Sequence, residues 1–429
     1  MFFMVAYPNS ANRCRSSIRN LVYLLSMNSS FDIAIAGAGI VGLATGMKLL
    51  EKFPGSSVAI LDKENTIAAH QTGHNSGVIH TGLYYRPGSL RAGMCTSGRN
   101  ELIRFCLEHD VKHEICGKVV IATSDDQLPA LAELFRRGSE NGIAGLQLLS
   151  PEEVKEFEPY AKCIRGMLVP GAGIVDFAQV AKAYAEVFEK RGGKLFLGAK
   201  VKKVKEIDSR TVRIETKGGQ FSSRIFINCA GLYSDRIARL SGMVPPCLIV
   251  PFRGEYYRIK PRAAYLVRNL IYPVPDPQFP FLGVHFTRMI DGQVEAGPNA
   301  VLAFAREGYS RIRISPLELF ETLRYGGFWR LVSRYWKTGI GEMMRSFSKS
   351  LFANALRKLV PAISMNDLEP GGAGVRAQAL SRDGKLLDDF VIQQTQNVIH
   401  VLNAPSPAAT SSLAIAAQIA EMAEKMLSA

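Results

Sequence analysis

Residues 32–37 (DIAIAG) form an apolar run with β-branched positions that ends on glycine, the pattern of a strand buried on both faces. Residues 40–52 (IVGLATGMKLLEK) repeat apolar positions at the helical period and carry charge only near the end. A second buried strand is expected over 58–62 (VAILD). Strand, turn, helix and strand together take about thirty residues, as a parallel crossover unit requires. The pattern then changes. Residues 65–95 are polar, aromatic and Gly-rich with no period, so they are expected as a long loop segment of the kind that carries function. Helices are expected over 126–142, 151–157 and 177–191, the last amphipathic and closed by Gly192-Gly193. Strands are expected at 195–197, 199–205, 211–216 and 224–229, with Pro-rich and aromatic strands across 248–300. Residues 309–360 read as helical and basic. The chain closes with a strand at 398–402, a Pro-broken turn and a helix from about 408 to 427.

These elements predict an α/β protein, α+β overall. A Rossmann-like dinucleotide-binding domain is assembled from discontinuous segments, and an antiparallel-sheet domain for the substrate is inserted into it. The expected segmentation is a targeting or disordered leader at 1–30, the dinucleotide domain at 31–110, 150–240 and 365–429, and the substrate domain at 111–149 and 241–364.

Composition narrows this picture. The chain has 429 residues and a formal net charge of +14. No zinc-finger spacing and no RNP-like or basic-zipper pattern accompanies that charge, so nucleic acid is not expected as a partner. Seven cysteines lie singly along the chain with no C-x-x-C, which suits free thiols in a reducing compartment. Asp32 is the first acidic residue; Arg13, Arg15 and Arg19 precede it among Ser, Asn and apolar residues, the composition of an organelle transit peptide. The longest uncharged run, from Phe390, contains Pro405, Pro407 and Asn403, so no membrane-crossing helix is expected there.

Candidate chemistry starts at Gly37-x-Gly39-x-x-Gly42. The first glycine permits the tight turn, the second lets backbone N–H groups approach a pyrophosphate, and the third lets the helix pack on the sheet. The helix N-terminus offers unpaired N–H donors to phosphate oxygens. Asp62 ends the second strand twenty residues past Gly42, where an acid accepts hydrogen bonds from ribose hydroxyls. The spacing implies a dinucleotide and leaves NAD or FAD open. His70, His74 and His80 invite a metal reading, but Gly73 and Gly77 break any helix between them and no carboxylate or Cys intervenes, so no metal is expected.

Longer strings carry a resemblance. His70-Gln-Thr-Gly-His-Asn-Ser-Gly-Val-Ile-His80, Pro251-Phe-Arg-Gly-Glu-Tyr-Tyr257, Tyr272-Pro-Val-Pro-Asp-Pro277, Gly283-Val-His285, Gly297-Pro-Asn-Ala300, Gly374-Val-Arg-Ala-Gln378 and Asn403-Ala-Pro-Ser-Pro-Ala408 occur in this order. From about residue 31 to the C-terminus the chain resembles the L-2-hydroxyglutarate dehydrogenases, FAD-dependent enzymes of the D-amino-acid oxidase structural class. The resemblance implies FAD as cofactor, oxidation of L-2-hydroxyglutarate to 2-oxoglutarate by hydride transfer to flavin N5, and an electron acceptor that is usually quinone-linked. It also implies a mitochondrial location for eukaryotic members. It is weakest over 309–360. A flavin oxidase of another small 2-hydroxy or amino acid, or a non-catalytic FAD-binding protein, are the competing readings.

A dicarboxylate substrate calls for arginine, whose planar fork matches a carboxylate. Arg376 resembles the carboxylate-binding arginine of the class. Arg253 lies in an apolar, aromatic strand and needs an anionic partner, either substrate or Glu255. The hydroxyl proton needs a base, and His285 is the candidate, with His74 and His80 as competitors. Tyr256, Tyr257 and Tyr272 can hold a carboxylate or shape the pocket. His74, Asn75, Ser76 and Gly77 are expected against the flavin or pyrophosphate, Val201 against adenine, and Ala230-Gly231 at a second Gly-containing turn of the cofactor domain. Asn403, Ala404 and Ser406 are expected to lead a helix N-terminus to the flavin. Between Tyr309 and Val360 stand ten Arg/Lys, three Glu and both tryptophans, a net +7 that suits a peripheral contact with an anionic membrane, the inner mitochondrial membrane in this reading.

Overall fold

A computed structural model describes residues 28–276 and 282–428. The leader expectation therefore falls outside it up to residue 27, as does Pro277. Its last three residues do not behave as a leader: the first strand runs Asn28–Ala36, with Asn28 paired to Gln220. Backbone pairing extends this strand through Asn-Ser-Ser, which carries no apolar signal.

Asn28–Ala36 lies between two parallel neighbours, Val58–Leu61 and Gln220–Asn228, and Lys194–Phe196 continues the sheet beyond Val58–Leu61. The far edge of Gln220–Asn228 is shared. Its first half pairs antiparallel with Thr211–Thr216, and its second half pairs parallel with Val398–Asn403. The helices Ile40–Lys52, Leu90–Glu108, Phe177–Lys190 and Ser412–Ser428 pack together over this eight-stranded sheet. Ile33, Ile35, Leu43, Ile60, Phe188 and Ile419 are fully buried between them. Asp176 caps Phe177–Lys190 by accepting from Ala178 N at 2.8 Å.

The second sheet has nine strands. Its spine is Cys247–Ile259, paired antiparallel along its whole length with Leu368–Ser381. Val294–Gly297, His285–Arg288, Leu270–Pro273, Lys118–Ala122, Arg165–Val169 and Gln147–Leu149 follow on the other side. Two boundaries of the expected segmentation need correction. Arg165–Val169, placed at 150–240 in the dinucleotide domain, pairs with Lys118–Ala122 in the second sheet. Leu368–Ser381, placed at 365–429 in the same domain, pairs with Cys247–Ile259. An apolar period marks a strand and not its partner, and both partners here are distant in sequence.

Two element boundaries also move. The expected loop at 65–95 ends at Ser89, whose hydroxyl caps the helix Leu90–Glu108 by accepting from Ala92 N. Gly93, Gly98 and several polar residues dilute its period, although Ala92, Cys95, Leu102 and Phe105 share one buried face. The last helix starts at Ser412, four residues after the expected 408. Residues 309–315 are not helical; Pro316–Arg324, Gly326–Phe347 and Lys349–Arg357 are. Phe328 and Leu331 bury one side of the middle helix against the second sheet, while Trp329, Trp336, Ile340, Met344 and Phe347 face outward. Among the described residues no helix is long and apolar enough to cross a membrane.

Candidate active site

A cavity of about 800 Å³ runs between the two sheets, from the Gly37 turn to the strand that begins at His285. At one end the first strand stops and Gly37 takes φ +110°, with its N–H on Leu61 O at 2.8 Å. Gly39 opens the helix Ile40–Lys52 with no side-chain cap. A β-carbon on Gly39 would meet only Thr72 Oγ1, at 3.4 Å. The protein itself leaves room for a side chain there, so the glycine keeps that room for a ligand along the cavity wall. Gly42 is different: it does not line the cavity, and it is small because the helix rests on the Gly37 carbonyl. Asp62 accepts from Ala38 N at 2.6 Å and from Glu64 N at 2.8 Å, which fixes its carboxylate at the cavity edge. Val201, Ala230 and Gly231 line the same end.

The segment 70–80 folds back across the cavity. His74, Asn75 and Ser76 line it; Gly77 does not. Gly77 holds a positive φ of 64° and donates to Asn75 Oδ1, so it shapes the turn. The Asn75 amide is spent on Gln71 O and Thr72 O, at 3.1 and 2.7 Å. His74 packs on the Tyr309 ring at 4.3 Å. The three histidines separate: His70 sits with Glu64 and Glu307, and His80 approaches Ser406 Oγ at 3.3 Å. Glu64, His70 and Glu307 could hold a cation by spacing, but Lys63 Nζ already pairs with both carboxylates.

At the other end stand His285 and Arg376. His285 Nδ1 lies 2.8 Å from Gly283 O. A carbonyl only accepts, so Nδ1 carries the proton and Nε2 keeps its lone pair. Burial pushes the His285 pKa down to about 3; the Gly283 hydrogen bond opposes this, and the charges of Arg376 and Lys118 reinforce it. The ring packs on Tyr272 at 4.0 Å between centroids. These features leave a neutral, oriented imidazole beside a guanidinium.

Strand alternation removes two expected site residues. Gly254 and Tyr256 line the cavity, so Arg253, Glu255 and Tyr257 face the other way. Arg253 pairs with Glu255 at 3.0 Å and donates to Ser310 O, while Tyr257 packs on Phe352 at 4.7 Å. Glu255 gathers Arg253, Arg311 and Ser346, which answers the burial of Arg253 without a substrate. Asn403 is also off the cavity. Its side chain donates to Leu387 O and Asp389 O, tying down a neighbouring loop, while Ala404 and Ser406 do line the wall. Sequence reasoning missed Tyr84, Tyr85, Arg91 and Gln378 on this wall, and Lys118 behind it. An isolated lysine opening the apolar strand KVVIA was the one available signal, since a buried lysine needs a reason.

The family model of FAD-dependent oxidoreductases (DAO) matches residues 32–422. The L-2-hydroxyglutarate dehydrogenase of Indibacter alkaliphilus is 55% identical over 396 residues, covering 92% of this chain and 99% of that protein. The Escherichia coli K12 enzyme of the same name is 44% identical over 397 residues, covering 92% and 94%. The human protein, named as mitochondrial, is 44% identical over 409 residues, covering 92% and 88%. Among solved structures, FAD-bound L-α-glycerophosphate oxidase from Mycoplasma pneumoniae aligns with TM-score 0.77 at 21% identity, over 94% of this chain and 95% of that one. Glycine oxidase from Geobacillus kaustophilus aligns with TM-score 0.71 at 18% identity, over 92% and 95%. At such identities the structural matches speak for the fold, and the closer sequence matches for the subfamily. The chain belongs to the FAD-dependent oxidoreductase (DAO) family and, within it, to the L-2-hydroxyglutarate dehydrogenases.

Proposed function

We propose that this chain oxidises L-2-hydroxyglutarate to 2-oxoglutarate with FAD in the cavity, His285 as the base and Arg376 as the carboxylate anchor. The observation that carries the assignment of roles is the pairing of a neutral, Nδ1-fixed His285 with Arg376 at one end of a cavity whose other end is the Gly37 turn. When bound, FAD supplies the two-electron acceptor for the substrate C2–H. The chain's residues do the rest. Gly37, Gly39 and the helix they open receive the pyrophosphate, and Asp62 the adenosine ribose. Arg376 holds the carboxylate next to C2 and so fixes which hydrogen faces the cofactor. His285 Nε2 takes the hydroxyl proton as the C2–H leaves, and the carbonyl forms from the same carbon and oxygen.

Anaerobic mixing tests the whole reading. The oxidised-flavin absorbance should bleach with L-2-hydroxyglutarate and not with the D-isomer; no bleaching with either would end it. Arg376→Lys keeps the charge and loses the fork. It is expected to raise KM about tenfold or more with a smaller change in kcat, and an unchanged KM would remove Arg376 as the anchor.

Electrons leave the flavin to a quinone-linked acceptor at a membrane surface, in this reading, and the segment 309–360 supplies the contact. The support is a face that is both apolar and basic. Ile312 is 89% and Phe347 71% exposed, together with Trp329, Trp336 and Ile340. Two of the segment's three glutamates are engaged elsewhere: Glu318 and Glu321 pair with Arg236, while Glu342 accepts from Ala300 N and pairs with Arg345 of the segment itself. Its outward charge is therefore positive, which suits anionic lipid. Cosedimentation with cardiolipin-containing liposomes at low salt should exceed that with neutral liposomes and fall in a Trp329→Ala, Trp336→Ala double variant; equal pelleting with both lipids would sink the proposal. In a eukaryotic host the Arg-containing, acid-free leader sends the chain to the mitochondrion, to lie peripherally on the inner membrane. A fluorescent fusion of residues 1–30 that stays in the cytosol would overturn that address.

A further inference from the structure

Lys118 opens the strand Lys118–Ala122 and is 3% exposed. Its ammonium lies 4.6 Å from the Tyr84 ring centroid and 4.7 Å from that of Tyr272. Both tyrosines line the cavity, and Tyr272 also packs on the His285 ring at 4.0 Å. Among the described residues no carboxylate forms an ion pair with Lys118, in contrast to buried Arg253 and Arg306, which are matched by Glu255 and Asp235. With ring faces around it and no carboxylate beside it, burial lowers the Lys118 pKa to about 7, and an anion at this place would restore the charged ammonium. A second observation is independent of the first. The Tyr84 hydroxyl is buried and has no hydrogen-bond partner among the described residues, although Tyr84 is part of the cavity wall. A buried hydroxyl without a partner is costly unless a ligand supplies one. The two deficits complement one group: an anion with an oxygen for the hydroxyl and a charge for the ammonium.

We propose that Tyr84 and Lys118 seat the second carboxylate of the substrate, the one far from the reacting carbon, and thereby make the enzyme select dicarboxylates. The proposal rests on the reading of Arg376 as the anchor for the carboxylate next to C2, which leaves the distal carboxylate to be matched. Tyr84 donates its hydroxyl to that carboxylate. Burial raises the phenol's pKa well above its ordinary value, so the hydroxyl keeps the proton it donates. Lys118 acts from behind the two rings as the balancing charge. It is a specificity residue and takes no part in the bond changes at C2. Arg91, on the same cavity wall, donates through its terminal nitrogens to Asp388 O and Ser406 O and keeps a buried Nε with no partner among the described residues, so it adds positive potential and a further donor at this end.

The test compares acids that differ only at the far end. Glutarate and valerate are titrated into the FAD-loaded enzyme and followed by the perturbation of the flavin spectrum, so binding is read without turnover. Turnover is then compared for L-2-hydroxyglutarate and L-2-hydroxyvalerate. In the wild type both readouts should favour the dicarboxylate. Lys118→Met, close in size and uncharged, is expected to cut the dicarboxylate-over-monocarboxylate ratio about 30-fold or more, through KM and not kcat. Tyr84→Phe should cut it about tenfold. Lys118→Arg should restore most of the ratio. If the variants weaken both acids equally, Lys118 and Tyr84 are structural supports and the proposal fails; it fails equally if the ratio does not move. Should Lys118→Met not hold FAD, Tyr84→Phe and Lys118→Arg still decide the matter. If the wild type binds glutarate selectively but is not reduced by L-2-hydroxyglutarate, the functional reading fails while the seat stands.

Discussion

His285→Ala is expected to slow anaerobic flavin reduction by L-2-hydroxyglutarate by about 10²–10⁴-fold, the usual weight of a positioned base. The substrate KM should change far less, because Arg376 remains to hold the carboxylate. The expectation follows from three facts. His285 lies on the cavity wall beside Arg376. The Gly283 carbonyl holds the proton on Nδ1, so Nε2 is the free acceptor. Burial keeps the ring neutral, with a pKa near about 3 in place of the ordinary 6.5. The last point has its own consequence. The base works in its neutral form, so it is competent above its folded pKa and fails only below it. The acid limb of kcat/KM, which reports the free enzyme, should therefore lack a step near pH 6.5 and stay flat to about pH 5. Stopped-flow reduction across that range checks both claims. Reduction by His285→Ala at the wild-type rate would remove His285 as base. His80 would then be next, since it shares the wall and a pKa pushed down to about 3 by burial.

The local signals in this chain were the readable ones. Gly37, Gly39, Gly42 and Asp62 lie within one crossover unit, and their spacing alone locates the end of the cavity proposed for the cofactor. His285 and Arg376 came from family strings, and the structure brings them to the opposite end. What failed depended on facing and on distant pairing. Arg253 and Tyr257 lie in the same string as Tyr256, and the pattern of that strand does not say which face meets the ligand; the structure gives it to Gly254 and Tyr256. Both faces of Cys247–Ile259 are covered, so both look alike in sequence. Asn403 looked like a cofactor contact because it begins a recognisable string, yet its amide is used on Leu387 O and Asp389 O. The sheet partners of Arg165–Val169 and Leu368–Ser381 were beyond reach for the same reason: pairing is a property of two segments, and periodicity describes one. Lys118 sat unremarked in a strand pattern that it only slightly disturbs.

Gly42→Ala should yield protein that purifies with little or no flavin. A β-carbon at this position would stand 1.9 Å from the Gly37 carbonyl oxygen and 3.1 Å from its carbon. Both are backbone atoms, so no rotamer change relieves the clash, and either the helix Ile40–Lys52 or the turn must move. The turn has little freedom. Gly37 sits at φ +110° with the Cys229 carbonyl 2.4 Å from where its own β-carbon would be, and its N–H is fixed on Leu61 O. Displacing the helix start takes with it the amides proposed to face the pyrophosphate, and the expected loss is steep because those donors act together at one site. The overpacking adds about 1–3 kcal/mol of destabilisation, so the thermal midpoint should fall along with flavin content. Gly93→Ala is the matched control. It lies inside the helix Leu90–Glu108, and a β-carbon there meets nothing within 4 Å. Alanine also favours a helix over glycine by about 1 kcal/mol, so this variant should keep its flavin and melt no lower than the wild type. Flavin released on denaturation, measured per mole of chain, separates the two outcomes. Full flavin content in Gly42→Ala would mean that the turn does not hold the pyrophosphate, and that the glycine at 42 serves the helix alone.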